Sequence, residues 1–471
     1  MRGFRQINQE LSQLKTFRAL LDYLSLASLE RVAFILLAVW GLTPVFVLLH
    51  GIGKPQGDLS IQLNNISQTR IFWYTILTQV GVLGCALGIL FLVKSILKAR
   101  AGGVSFKQYF QGHIVPILFF LLLLWSFFSF VLSDNHRVSF YGTLYRYDGF
   151  MTYLLYGGLF CCGYVLRNLR LFKVLLEIFT GASTFLACLF VINLPGINGF
   201  FSLNPDSAIF FNQNHYGYFL CLAILAAAFL FLLEQRSWLF LVFRILAFAV
   251  LVAALAFNGS FGPYLAVVVG LLASFIILCL VQRHRLQRIW LILAVFLSVS
   301  ILVNLINQRL SADFWTLFGD TSEILNNGEN AGSAGSGRWQ LWTNGVRFIT
   351  ERPLFGYGPD NLGIQYAAVG IKIDRPHNEL IQIAASLGLP ALLFYLTALG
   401  ILLVSFIRRL KQLPMLTIGL FCLLLAYMAS AMVGNSMFYT TPFFMMFLGV
   451  FSGQMLPAGL GDTVSAIKPS L

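Results

Sequence analysis

Twelve apolar runs are separated by short polar segments along most of the chain, near 32–50, 71–93, 113–132, 150–166, 174–194, 215–233, 240–257, 261–281, 289–307, 386–407, 414–433 and 441–456. Each approaches the roughly 20 mainly apolar residues that an α-helix needs to cross a bilayer. The bilayer core offers backbone amides no water, so such runs close their hydrogen bonds internally, as helices. Strands of a membrane barrel would be about ten residues long with polar positions interleaved, and that pattern is missing. The pattern predicts an all-α polytopic membrane protein of about twelve transmembrane helices. Its rhythm breaks once, between 308 and 376, where a long polar segment separates the ninth run from the tenth. The expected organisation is an N-terminal segment over 1–31, helices one to nine over 32–307, a large loop containing short helices over 308–376, helices ten to twelve over 377–456 and a tail over 457–471.

Composition agrees with this reading: 58% of residues are hydrophobic and 10% charged, with a mean hydropathy of +0.81. A soluble domain carries about 25% charged residues. Basic residues set the expected orientation. With the N-terminus cytoplasmic, 21 of the 31 Lys and Arg fall on the cytoplasmic side, among them Arg31, Lys94, Lys98, Arg100, Lys107, Arg167, Arg170, Lys173, Arg244, Arg285, Arg288, Arg408 and Arg409. The opposite short loops hold only Lys54, Arg70, Arg137 and Arg146, so the positive-inside rule is met at every crossing. Both termini are then cytoplasmic and the 308–376 loop is extracytoplasmic. The net charge of +13 reflects topology and attraction to anionic headgroups. No basic, aromatic-interleaved module for nucleic acid is present.

The first apolar run is too long, and starts too late, at Val32, for a cleavable signal peptide. Cys85, Cys161, Cys162, Cys188, Cys221, Cys279 and Cys422 all fall inside apolar runs and read as packing thiols, with neither disulfides nor a metal spacing. The stretch NNGENAGSAGSG over 326–337 reads as a flexible connection. After it, Trp339, Trp342, Val346 and Ile349 recur at three- and four-residue spacing. They predict one face of a short surface helix that starts near Ser336 and ends at Pro353.

In so apolar a chain, polar clusters are informative. Arg338 opens that helix; a guanidinium donates two parallel hydrogen bonds and suits a diphosphate, and helix N-terminal amides add to such an anion site. The alternative is a local pairing with Glu329 or Asp360. His377, followed by Asn378, stands at the start of the tenth helix, where an imidazole of pKa about 6.5 can take a proton from a hydroxyl at neutral pH. A structural role is the alternative. His215 is a rival base, but it begins a membrane helix with no Arg nearby in sequence. Trp339, Trp342, Tyr357 and Tyr366 either stack on sugar rings or anchor the loop at the interface. Asn212, Gln213 and Asn214 offer hydrogen bonds to a sugar or diphosphate. Asp360, Asp374 and Glu379 read as solvated loop charges rather than metal ligands.

The stretches SGRWQLW, RPLFGYGPDNLG and PHNELIQIAASLGLPALL, over roughly 335–395, resemble the signature of the O-antigen ligase and polymerase superfamily, which includes bacterial protein O-oligosaccharyltransferases. The segments SFYGTLYRYDGFMTYLLYGGLF at 139–160 and FFNQNHYGYFL at 210–220 echo it more weakly. The resemblance implies a multi-pass glycosyltransferase of the bacterial cytoplasmic membrane with its site facing outward. Its donor would be a glycan on a polyprenyl diphosphate, its acceptor a glycan, a lipid A core or a protein, and it would need no cofactor. By the same resemblance Arg338 engages the donor diphosphate, His377 activates the acceptor hydroxyl, and Asn214 matches the family Asn. Asn378, Tyr357 and Trp342 join it as substrate-binding candidates. The chain departs from the family at NGSFGPYLAVVVGLL, where Phe261 stands in place of an Arg expected near the diphosphate. Arg146 is the candidate replacement; a structural pair with Asp148 is the alternative. A twelve-span transporter and a noncatalytic envelope-assembly scaffold are the rival readings. A transporter usually carries ionisable groups near the midplane, and these runs are nearly free of charge at their centres.

Overall fold

The protein is described by a computed structural model over residues 23–51, 61–62, 66–193, 201–204, 206–235, 237–326, 334–335 and 337–455, with 16, 19 and 21. The tail expected over 457–471, most of the N-terminal segment expected over 1–31 and most of the glycine-rich connection lie outside the described residues.

The first half of the chain forms α1 (Leu26–Gly41), α2 (Thr43–Gly51), α3 (Ile66–Ala101), α4 (Phe106–Gly112), α5 (Ile114–Val131), α6 (His136–Tyr141), α7 (Phe150–Val165), α8 (Leu169–Ile192) and α9 (Gln213–Leu233). There follow α10 (Trp238–Asn258), α11 (Phe261–Val281), α12 (Leu286–Asn307), α13 (Arg309–Leu325), α14 (Arg338–Glu351), α15 (Leu362–Ala368), α16 (Glu379–Leu387), α17 (Leu389–Arg409), α18 (Met415–Ala431) and α19 (Thr441–Gln454). Among the described residues the β-structure is a two-residue parallel pairing of Ile61–Gln62 with Phe201–Ser202 and an isolated bridge between Asn204 and Ala208.

Within the described residues each of the twelve apolar runs falls mainly on helix. Among the described residues eight helices are long and apolar enough to cross a membrane, and α1 with α2, bent by 45°, makes a ninth if the pair is one span. The other three runs form α7, α18 and α19, of 16, 17 and 14 residues. At 1.5 Å per residue these fall short of a core about 30 Å thick. They are also among the most buried helices, packed in protein rather than lipid, so they need not reach both interfaces. In α9 every residue from His215 to Leu232 is buried, which places it at the centre of the bundle.

Small residues set this packing, because lipid chains are as apolar as Leu and helices associate through close backbone approach. A Cβ on Gly84 of α3 would lie 2.4 Å from the carbonyl oxygen of Gly158 on α7. One on Gly449 of α19 would lie 2.2 Å from that of Phe160. Charges within the spans sit near helix ends. At the end away from the 334–379 segment, Arg244 pairs with Glu234 and Glu177, and Arg288 donates to the Glu234 carbonyl just past the C-terminus of α9. All seven cysteines are free and lie in helices.

Candidate functional site

The segment 334–379 folds over one end of the bundle, and its motifs have local physical reasons. Tyr357 and Gly358 N–H groups donate to the carbonyls of Ala385 and Ser386, at 3.0 and 2.9 Å, laying the GYG turn against the end of α16. The approach is so close that a Cβ on Gly356, at φ +62°, would lie 2.4 Å from the Ser386 carbonyl carbon. The turn is held on α5 by Trp125, whose ring stacks on Phe355 with centroids 4.9 Å apart and whose Nε1 donates to Leu354 O. Above it, α14 starts at Arg338, as expected to within two residues, and stops two residues before Pro353.

The buried face of α14 is Leu341, Gly345 and Phe348, offset from the expected Trp339–Trp342–Val346–Ile349 stripe. Trp339 and Val346 are exposed, while Trp342 and Ile349 pack at the edges of a small core made by Leu341, Phe348, Tyr357, Leu362, Tyr366 and Ala385. Gly345 sets the offset, because a Cβ there would lie 2.6 Å from Ile381. Tyr357 and Tyr366 are therefore core residues: their hydroxyls donate to Glu351 Oε2 and to the Leu341 carbonyl at 2.6 and 2.8 Å. Trp342, Tyr357 and Tyr366 occur here as the supports of α14.

Beneath α14 lies an ion network whose centre, Arg375, was not singled out from sequence. Arg375 is fully buried and donates to Asp148 at 2.8 Å, to Asp360 and to the carbonyl of Ser436 at 3.0 Å. Asp360 also accepts from the Thr143 N–H at 2.7 Å, and Asp148 from the Tyr156 hydroxyl at 3.0 Å. One guanidinium thus ties together the connections at 143–148, 358–361, 374–377 and 436. Asp360 and Glu379 are buried, not solvated, because each carboxylate has partners, in Glu379 the Tyr395 hydroxyl at 2.7 Å. Asp374 forms a two-bond pair with Arg146 at 2.8 and 2.9 Å. Asp374 is therefore the partner of Arg146; Asp148 is already taken by Arg375.

His377 sits in the loop just before α16 with φ 52°, in the left-handed region. Its Nδ1 is 3.2 Å from the Asn435 side-chain amide. Burial, then the charges of Arg338 and Arg146, pulls its pKa down to about 4. The structure therefore brings together three residues chosen from sequence that are separated by up to 231 positions, His377, Arg338 and Arg146. Arg338 donates to the Gly335 carbonyl at 3.3 Å, and neither Asp360 nor any other described carboxylate pairs with it. Glu329 lies outside the described residues. Gly335 has φ +62° and donates its N–H to Asp320 at 2.7 Å.

Asn378 next door is a helix cap: Oδ1 accepts from the Leu380 and Ile381 N–H groups and Nδ2 donates to the Met432 carbonyl at 3.0 Å. Its side chain anchors His377 between α16 and the turn after α18. Asn214 stands half-buried in the first turn of α9, below the Asn212 cap.

His215 is nearer the site than sequence order implied. It is buried with Nδ1 unpartnered, and the charges of His377, Arg146 and Arg375 all act on it. Arg70, at the start of α3, joins from another side: it lies over the Tyr145 ring at 5.1 Å, and Arg146 lies over the same ring at 5.2 Å. Among the described residues Arg70 has no carboxylate partner, and its Nε is buried without a bond. At the family departure, Phe261 opens α11 behind a buried Ser260. The Arg309 guanidinium lies against Gly259, where a Cβ would be 3.0 Å from its Nη1, and pairs with Asp206 at 3.3 Å.

The arrangement, a neutral imidazole near Arg338, which has no described carboxylate partner, and near Arg146, which shares its charge with Asp374, suits proton abstraction beside a bound anion. No curated protein matches the chain significantly. Residues 246–396, less than half of the chain, match the family model described as O-antigen ligase, a match that begins well upstream of the motifs read from sequence and contains both Arg338 and His377. Over this segment the chain is similar to O-antigen ligases, which supports its place in the O-antigen ligase and polymerase superfamily.

Proposed function

We propose that the protein transfers or polymerises a glycan from a polyprenyl-diphosphate-linked donor onto an acceptor hydroxyl, at the outer face of a bacterial cytoplasmic membrane. The observation that carries this reading is the placement of His377, a residue of the segment that matches the O-antigen ligase family, against Asn435, with the charges of Arg338 and Arg146 acting on it. The outward orientation is supported by the basic residues Arg167, Arg244, Arg285 and Arg288, which gather at the end of the bundle opposite the site.

In the proposed step, the acceptor oxygen attacks the anomeric carbon and forms the new glycosidic bond. His377 takes the hydroxyl proton. The bond from the anomeric carbon to the phosphate oxygen breaks, and its electron pair leaves with the polyprenyl diphosphate. Charge grows on that leaving group in the transition state. Arg338 and Arg146, already held in place, favour it there more than in the ground state. Arg146 fills the role of the Arg absent at Phe261, with Arg70 beside it. His377 is unprotonated at neutral pH because it is buried among cations, and the arriving diphosphate offsets those cations and strengthens it as a base.

The test is direct. Purified protein in vesicles is given a polyprenyl-diphosphate-linked glycan and acceptor, and free polyprenyl diphosphate is measured. Release coupled to glycan transfer by wild type but not by His377→Ala supports the reading; transfer by both variants His377→Ala and Arg338→Ala at wild-type rates refutes it.

A further inference from the structure

The helix α13 follows α12 after a single residue, Gln308, whose left-handed φ of 54° turns the chain. Its sequence separates into two faces at helical spacing. Leu310, Phe314, Leu317 and Phe318 lie on one side, with Trp315 at its edge, and Arg309, Asp313, Thr316, Asp320 and Glu323 lie on the other. Among the described residues none covers the apolar side: Phe314, Trp315, Leu317 and Phe318 are 45, 71, 44 and 57% exposed. The three aromatic rings contact one another instead, Phe314 and Phe318 with centroids 4.9 Å apart.

What covers this face follows from what precedes it. The last turns of α12, a helix long and apolar enough to span, expose Leu302, Leu305 and Ile306 by 61, 72 and 72%, as lipid-facing residues do. The apolar face of α13 continues that surface past the turn. The helix contains one basic and three acidic residues, so attraction to anionic headgroups does not hold it; burial of aromatic and aliphatic area does.

We infer that α13 is an interfacial helix that lies on the bilayer at the site end of the protein, with Phe314, Trp315, Leu317 and Phe318 in the boundary between headgroups and acyl chains. Its polar face reaches the site: Asp320 accepts from the Gly335 N–H at 2.7 Å, and the Gly335 carbonyl accepts from Arg338. A helix fixed on the lipid surface thereby sets the height of the Arg338 turn above the membrane. The placement of α13 holds whatever chemistry the site performs.

The test uses the full-length protein reconstituted in phosphatidylcholine vesicles, with and without lipid brominated on its acyl chains near the headgroup. Tryptophan emission of the Trp315→Phe variant, subtracted from that of wild type, isolates Trp315. An apolar face buried about 5–10 Å into the boundary puts the indole beside the bromines, so the difference signal falls by roughly twofold, and acrylamide in the water leaves it nearly unchanged. Phe318→Trp in the Trp315→Phe background repeats the measurement at a second position, so a defect of one variant does not decide it. Quenching by acrylamide and not by bromolipid places the face in water and overturns the inference. Protection from both quenchers shows that a second copy of the chain covers the face, and overturns it equally.

Discussion

The side-chain amide of Asn435 lies 3.2 Å from Nδ1 of His377, in a pairing that spans 58 positions. Which atom of that amide meets the ring decides which ring nitrogen is free to act as a base. With the amide nitrogen toward the ring, Nδ1 accepts and Nε2 carries the proton. With the carbonyl oxygen there, Nδ1 carries the proton and Nε2 is the base; that oxygen has no other partner. Asn435→Asp holds the second tautomer and favours the protonated ring, so the acid limb of turnover moves to higher pH. Asn435→Leu leaves KM near wild type and lowers kcat by roughly 10- to 100-fold, as loss of an orienting partner does. Steady-state kinetics of the two variants check this; a change in KM alone would count against an orienting role.

The pH dependence carries a defined sign. Burial and the charges of Arg338 and Arg146 lower the His377 pKa to about 4, so in the free protein the base is lost only as pH falls toward that value. Bound diphosphate offsets both cations and raises the pKa. The acid limb of kcat/KM, which reports free enzyme, therefore lies at lower pH than the limb of kcat, which reports the complex. Coincident limbs would mean that the donor does not sit between the arginines and His377. For the fold, the unfolded imidazole takes up its proton first on acidification, so this group's contribution to stability is lost as pH falls below about 6.5.

Arg375 carries fold rather than chemistry. Arg375→Met strands Asp148 and Asp360 in a buried place and costs about 3–5 kcal/mol, the usual penalty for breaking a buried pair. Adding Asp148→Asn and Asp360→Asn removes the stranded charges and recovers much of the loss. Thermal unfolding in detergent measures both steps; a double-charge-removal variant no more stable than Arg375→Met alone would contradict the account.

Arg338 and Arg146 separate by their partners. Each substitution to Ala lowers kcat by roughly 10²- to 10³-fold, the size of losing one preorganised contact to a developing anion. Arg338→Ala leaves the unfolding temperature unchanged, since no described carboxylate depends on it. Arg146→Ala lowers it by freeing the half-buried Asp374. Activity and unfolding measured on the same preparations test the contrast.

The architecture was legible because a bilayer leaves an apolar run one backbone solution, and within the described residues each of the twelve runs is mainly helical. Their reach was less legible: α3 continues through Lys94, Lys98 and Arg100 to Ala101, beyond its apolar run, since long basic side chains can extend away from a helix end toward water. In the site, Arg338, Arg146 and His377 stood out as polar residues in an apolar chain. Arg375 did not, because its meaning comes from Asp148 and Asp360, 227 and 15 positions away. His215 was set aside for lack of a neighbouring Arg in sequence, and the fold supplies Arg146 and Arg375 from elsewhere. Tyr357 and Trp342 read either as sugar platforms or as anchors because aromatic residues near a membrane serve either purpose, and the Glu351 bond and the α14 core show them supporting α14.

The central claim is that His377 and Arg338 act together on a lipid-linked glycan. The measurement that tests it most directly is the glycan profile of cells lacking the protein, complemented with wild type, His377→Ala or Arg338→Ala at matched membrane levels. The account predicts that only wild type restores transferred or long glycan, and that both variants accumulate the lipid-linked precursor. Full rescue by both variants would contradict it.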